Sequence, residues 1–169
     1  MLVVDNAIRE DRSLGNCERF VLCVCRACYR FAAIGSFPSQ AIKLRVLEWA
    51  TSGAVKLQDF FYPIGSVSAS SAAGLELCWA YFQEHFERIR SMLKKSVAWL
   101  MDAVILNSVS GFATSARADE VEAFFVAHPL PQNSRKISQA VENIRVSAAY
   151  CERLVASEPP IATVVAGLC

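Results

Sequence analysis

The chain has 169 residues, enough for one domain with a sizeable core. Its 17 Lys and Arg nearly balance 16 Asp and Glu, so no basic excess exists to neutralise phosphates, and nucleic-acid binding is disfavoured. Hydrophobic residues make up 54% of the chain, yet no apolar run approaches the ~20 residues that a membrane-spanning helix needs.

Residues 1–30 form an atypical, cysteine-rich segment. Phe20 to Cys25 comes nearest to a signal-peptide core, but it is short, is followed by Arg26, and has Asp5, Glu10, Asp11 and Glu18 upstream. The expected setting is therefore intracellular, and cytoplasmic within that. Cys23, Cys25 and Cys28 make a C-x-C-x-x-C cluster with Cys17 upstream, where a structural zinc site would need four converging ligands. Phe20, Val21 and Leu22 read as an apolar helix between those cysteines rather than a metal knuckle, so no metal is expected. Seven cysteines, an odd number, also argue against a secreted disulfide framework.

From residue 31 onward the periodicity is helical, and no strand-like alternation competes. Residues 41–51 and 57–67 read as two short helices around Ser52-Gly53, with Pro63 predicting a kink or a late start in the second. Over 73–93 the apolar stripe is Leu75, Cys78, Trp79, Phe82, Phe86, Ile89 and Leu93, with Glu84, Glu87, Arg88 and Arg90 elsewhere on the surface. Over 97–112 it is Val97, Leu100, Met101, Val104, Ile105, Ser108, Val109 and Phe112, and Gly111 suits a helix stop. Thr114 or Ser115 is placed to cap the next helix, which carries Val121, Phe124 and Phe125. Ile137, Ala140, Val141, Ile144, Ala148, Cys151 and Val155 mark a last long helix. Residues 157–169 break at Pro159-Pro160 and end in an apolar tail. The helices pair as hairpins over 38–68, 73–112 and 115–155, close to the ~40-residue length of HEAT-type units. The expected fold is all-α, a superhelical stack of antiparallel helix hairpins of HEAT/ARM type spanning 31–156.

Few residues offer chemistry. His85 and His128 are too far apart for an H-E-x-x-H zinc motif, and neither phosphate-binding glycine loop occurs. His85 reads as a solvent-facing step of its helix. A Cys151–His128 nucleophilic pair is conceivable across the fold, but nothing local marks either residue as activated, and Cys78 and Cys151 read as buried, inert thiols on apolar faces. His128 has a structural account: a cation at a helix end favours the carbonyl dipole, and Pro129 forces the residue before it out of helical geometry. Pro131 then stiffens the connector, and Asn133 or Ser134 caps the last helix. No catalytic residue is expected.

Three stretches carry a family likeness: VKLQDFFYPIGSV (55–67), GLELCWAYFQEHFERI (74–89) and NSVSGFATSARADEVEAFFVAHPLPQNSRKISQAVENIRVSAAYCERL (107–154). Together they resemble the C-terminal helical domain of M1-family zinc aminopeptidases, most closely the puromycin-sensitive type. That family shows, in the same order, a VRxQD…IGxV segment, G-x-E-L-A-W-x-F, a GF helix end, E-V-x-x-F-F, an H-P-x-P turn and ENI…NAAWLER. Departures include Lys56 for the usual arginine, Cys78 for alanine before Trp79, Cys151 near the usual tryptophan, and SMLKKSVAW (91–99) for a Tyr-Gly-Gly connector. The zinc motif and the G-x-M-E-N exopeptidase motif do not occur in the 169 residues.

The resemblance implies a C-terminal part of an M1 aminopeptidase that encloses or shapes the peptide chamber and does not hydrolyse peptides alone. It implies no cofactor in this chain, with zinc held by the catalytic domain. The implied partners are that catalytic domain and a peptide substrate, with self-association through an exposed domain face when the domain stands alone. Gln58, Asp59 and Gly65 are implied to face substrate, although Gln58 and Asp59 fit a helix-capping pair equally well. A stand-alone helical-repeat scaffold that binds a peptide or protein is the alternative.

Overall fold

In the computed structural model the described residues are 31–156 except Ala32. The cysteine cluster and the apolar tail lie outside them. Within them the structure is all-α, with seven helices and no strand. They are α1 (Gln40–Thr51), α2 (Phe61–Ser70), α3 (Ala72–Glu84), α4 (Phe86–Leu93), α5 (Ala98–Val109), α6 (Ser115–Ala127) and α7 (Ser134–Ala156).

In α1, burial falls on Lys43, Val46, Leu47, Ala50 and Thr51, which is one face at three- and four-residue spacing. The helix stops where Gly53 takes a φ of 89°, and the Ser52 hydroxyl donates to the Trp49 carbonyl at 2.8 Å. Lys43 is buried there with no carboxylate paired to it among the described residues, its ammonium donating to the Ser71 hydroxyl at 2.9 Å. Ser71 is the corner between α2 and α3, extended in backbone, and its oxygen also accepts from Gly74 N at 3.0 Å as the cap of α3.

Of the two effects predicted for Pro63, the late start is the one observed. Residues 57–60 are turns and α2 begins at Phe61, so Pro63 sits in the first turn, where its missing N–H has no intrahelical partner to lose. Two further boundaries differ from the sequence reading. The 73–93 stripe is split at His85 (φ −105°, ψ 15°) into α3 and α4, and His85 is half-buried rather than solvent-facing. Its ring stacks on Tyr81 with centroids 4.1 Å apart, while the Tyr81 hydroxyl meets Thr51 Oγ1 at 2.6 Å and Arg88 donates to the Thr51 carbonyl at 2.7 Å. These contacts tie the α3–α4 joint to the end of α1. The Gly111 stop does not use a left-handed φ, since Gly53 is the described glycine that has one. Gly111 is instead a place of close approach, where a Cβ would stand 2.8 Å from Leu75 Cδ2.

The core is continuous. α2 packs against α1, α3 and α5, and α5 reaches on to α4 and α7. Trp79 fills its centre, 2% exposed, stacked on Phe82 and meeting Phe112 and Phe124 edge-on. Thr114 caps α6 as expected, accepting from Arg117 N. α6 and α7 form the last hairpin, pinned by Arg145, which pairs with Asp119 at 3.0 Å and Glu122 at 2.6 Å. Beyond Ala148, α7 outruns the shorter α6, so Cys151 and Val155 are exposed and not core as the stripe suggested.

Candidate functional site

Neither histidine is set up for proton transfer to a nucleophile. The His85 ring nitrogen Nδ1 lies 3.2 Å from the Tyr81 carbonyl, and the same atom of His128 lies 3.0 Å from the Phe124 carbonyl. His128 ends α6, stacked on Phe124 and edge-on to Phe86, so it punctuates the turn as the sequence predicts. Cys151 cannot reach it: α7 rises ~1.5 Å per residue, which puts Cys151 roughly 25 Å from the turn beside His128. Cys78 is 1% exposed, and burial pushes its thiol up to about 12 against the opposing pull of Lys43. Its Sγ donates weakly to the Ile64 carbonyl at 3.5 Å. That is a packed thiol, not a nucleophile.

A zinc ion has no fitting ligand set here: among the described residues no group of three or more His, Cys, Asp or Glu could hold a metal. The charged clusters are instead bracing. Arg117 bridges Glu76 of α3 and Glu120 of α6 and lies over the Phe112 ring at 5.1 Å. Those two carboxylates hold the Arg117 guanidinium above its ordinary range despite some burial.

The three residues expected to face substrate lie in one stretch but in different settings. Gln58 is exposed and Asp59 half-exposed on the turns before α2. The N-cap of α2 is Phe60, the residue after them, and its side chain makes no cap hydrogen bond. Gly65 lies within α2 against α5, where a Cβ would stand 2.9 Å from Asn107 Oδ1. Its bare backbone lets Asn107 come close enough to donate to the Phe61 carbonyl at 3.2 Å.

The sequence reading missed a groove of about 560 Å³ between α4, the 94–97 connector and the 130–133 turn. Arg90, Lys94 and Glu87 form its charged rim, and Met101 and Leu130 its apolar wall. The lysine lies in SMLKKSVAW, the stretch that departs from the family connector, which was the available signal. Asn133 forms part of the same wall. It was one of two candidate caps for α7, with Ser134, but its amide donates to the Ala98 carbonyl at 3.0 Å and to Asp102 Oδ1 at 2.8 Å. It therefore fastens the turn to α5.

With a helical body and no nucleophile, base or metal set among the described residues, comparison with other proteins decides the kinship. Residues 30–146 match the family model described as ERAP1-like C-terminal domain. The chain belongs to that family, the C-terminal domain of M1 aminopeptidases. Aminopeptidase M1-B of Oryza sativa subsp. japonica is 30% identical over 133 residues, covering 79% of this chain and 14% of the rice protein. Aminopeptidase M1 of Arabidopsis thaliana is 30% identical over 122 residues, 72% of this chain and 13% of the plant protein. Alanine/arginine aminopeptidase of Saccharomyces cerevisiae is 25% identical over 121 residues, 72% of this chain and 14% of the yeast protein. The chain thus spans about one seventh of the length of these relatives.

Proposed function

We propose that this M1 aminopeptidase C-terminal domain acts by enclosing the peptide chamber of an aminopeptidase whose zinc chemistry is supplied by a catalytic domain. The observation that carries this reading is the match of residues 30–146 to the ERAP1-like C-terminal domain, together with relatives named as aminopeptidases of which this chain covers about one seventh. A helical body braced by ion pairs suits a wall, and its own described residues supply no reacting group. In this role Gln58, Asp59 and Gly65 line the side that meets the peptide, and the partners are the catalytic domain and the peptide itself. A cytoplasmic setting is supported by the odd cysteine count, which does not suit a secreted disulfide framework.

The test has two arms. The purified chain, given zinc, should release no product from an aminoacyl-naphthylamide, and zinc-dependent release would sink the reading. A chimera in which residues 31–156 replace the matching region of the rice enzyme should cleave peptides. In that chimera, Gln58→Ala with Asp59→Ala should raise KM for peptides and leave the aminoacyl-naphthylamide unaffected. Capture of a peptide by the isolated chain, with no chimera activity, would favour the scaffold alternative.

A further inference from the structure

Burial leaves the charge of Lys43 unbalanced. The residue is 3% exposed, and its ammonium has the Ser71 hydroxyl as partner and no carboxylate among the described residues. An ammonium taken out of water is costly unless an anion offsets it. Its place adds to that cost. Ser71 is the N-cap of α3, so the ammonium stands behind the end of a helix where aligned peptide dipoles already put about half a positive charge. The first turn of α3 has no acidic side chain, and Glu76, further along, is paired with Arg117. Gly74 makes room for the arrangement, since a Cβ there would stand 3.3 Å from Lys43 Nζ.

On its solvent side the same corner is a set of donors. Ser71, Ala72 and Ala73 are exposed. The Ser71 oxygen accepts from Lys43 Nζ at 2.9 Å and from Gly74 N at 3.0 Å, which leaves its own hydrogen to donate. Accepting from an ammonium polarises that hydroxyl and makes it a stronger donor. The Ala72 and Ala73 N–H groups are the first two of the helix and have no acceptor among the described residues. Three donors therefore stand at the open end of a 13-residue helix, where two methyl side chains leave the approach clear. Ammonium and dipole together supply about one and a half positive charges. A phosphate group carries about −1.5 to −2 at neutral pH and presents three acceptor oxygens, a closer match than the single charge of a carboxylate.

We propose that the α2–α3 corner binds a phosphate group, held by the Ser71 hydroxyl and the Ala72 and Ala73 N–H groups, with buried Lys43 as its counter-charge. The site lies at the opposite end of α2 from Gln58 and Asp59 and does not depend on their meeting a peptide.

Titration of the isotope-labelled full chain with inorganic phosphate, at constant ionic strength against chloride, tests this by NMR. The Ala72, Ala73 and Gly74 amide signals should shift saturably. Ser115 and Ala116 of α6 should shift little, because that helix is capped alike by Thr114 but lies beside an Arg117 already paired with two carboxylates. Lys43→Met keeps an unbranched stem without the charge and should weaken binding several-fold. Ser71→Asp places a carboxylate at the cap and should abolish the shifts in a chain at least as stable as the wild type. O-phosphoserine separates the sources of the group: shifts like those with the ion mean that esters are taken, none that the free ion alone is, and either supports the site. Shifts at Ala72 and Ala73 no larger than those at Ser115 and Ala116 overturn the proposal in the wild type alone. Undiminished binding in a folded Lys43→Met or Ser71→Asp chain also overturns it. Acetate that binds as tightly as phosphate overturns it in favour of a carboxylate site.

Discussion

The Trp79 indole N–H donates to Glu120 Oε1 at 2.7 Å, joining the largest buried ring of α3 to a carboxylate of α6. Burial alone would raise the Glu120 carboxyl. The Trp79 hydrogen bond, the Arg117 guanidinium and the Gln83 amide more than offset it and hold the group below the ordinary carboxylate range. Trp79→Phe should destabilise by about 2 kcal/mol or more, from the lost bond and the space left behind. Glu120→Gln retains an acceptor and loses only the charge, on a side chain that is 38% exposed, so it should cost about 1 kcal/mol or less. The pH dependence separates the two. A depressed folded pKa contributes stability that is present above the unfolded carboxylate value and lost as pH falls through the folded one. In urea titrations the gap between wild type and Glu120→Gln should therefore close as pH drops below the ordinary carboxylate range. A gap that stayed constant with pH would refute the assignment.

The two described cysteines should differ sharply in reactivity. Cys78 is buried with its thiol raised to about 12, whereas Cys151 is exposed on the overhanging end of α7. A maleimide at neutral pH should label Cys151 promptly and Cys78 only at the rate of unfolding, read by peptide mass spectrometry with time. Prompt labelling of Cys78 in the native chain would mean that α2 and α3 are not packed as described.

Cys151 also shows where the sequence stops being readable. Periodicity alone places Leu75, Cys78, Trp79, Phe82, Phe86, Ile89 and Leu93 in the core, and all are buried. The same rule places Cys151 and Val155 there, because a stripe records which face is apolar but not where the opposing helix ends. The break at His85 is invisible for a related reason. Phe86 keeps its four-residue step from Phe82, and no Pro or Gly marks the joint, which is held by contacts to Thr51 that lie 30 and 37 residues away in sequence. Asn133 is misread because a local cap and a tertiary bond to α5 draw on the same residue type. The family likeness is legible in ordered motifs, but the groove beside Lys94 arises only where residues 87–101 meet the distant 130–133 turn.

Three glycines should rank by what surrounds their missing Cβ. At Gly35 an added carbon would stand 2.3 Å from Val67 N, and at Gly74 2.3 Å from the Val67 carbonyl oxygen. Backbone atoms inside a helix cannot yield, so Gly35→Ala and Gly74→Ala should each cost about 1–3 kcal/mol or more. For Gly74 this comes despite the ~1 kcal/mol by which alanine favours a helix interior. At Gly111 the neighbour is the far end of Leu75, which can rotate, so Gly111→Ala should cost the least of the three. Denaturant midpoints in the reverse order would show that the chain around Val67 is looser than its contacts imply.

The Asn133 fastening gives the most specific test of the α5–α7 joint. Only 6% of the residue is exposed, and its amide supplies donors to both the Ala98 carbonyl and Asp102. Asn133→Ala leaves those acceptors without their partner and should cost about 1–3 kcal/mol. Asn133→Asp is nearly the same size but sets a carboxylate against Asp102 where a donor stood. Two like charges that close resist ionising together, which raises a folded-state pKa. A raised carboxylate pKa destabilises at pH above it, and the penalty is relieved as pH falls and one proton is shared between the two groups. Asn133→Asp should therefore be the less stable variant at neutral pH and should recover relative to Asn133→Ala on acidification. Thermal melts of both variants from neutral to mildly acidic pH would show the crossover, and parallel curves would mean that Asp102 is not the partner that matters.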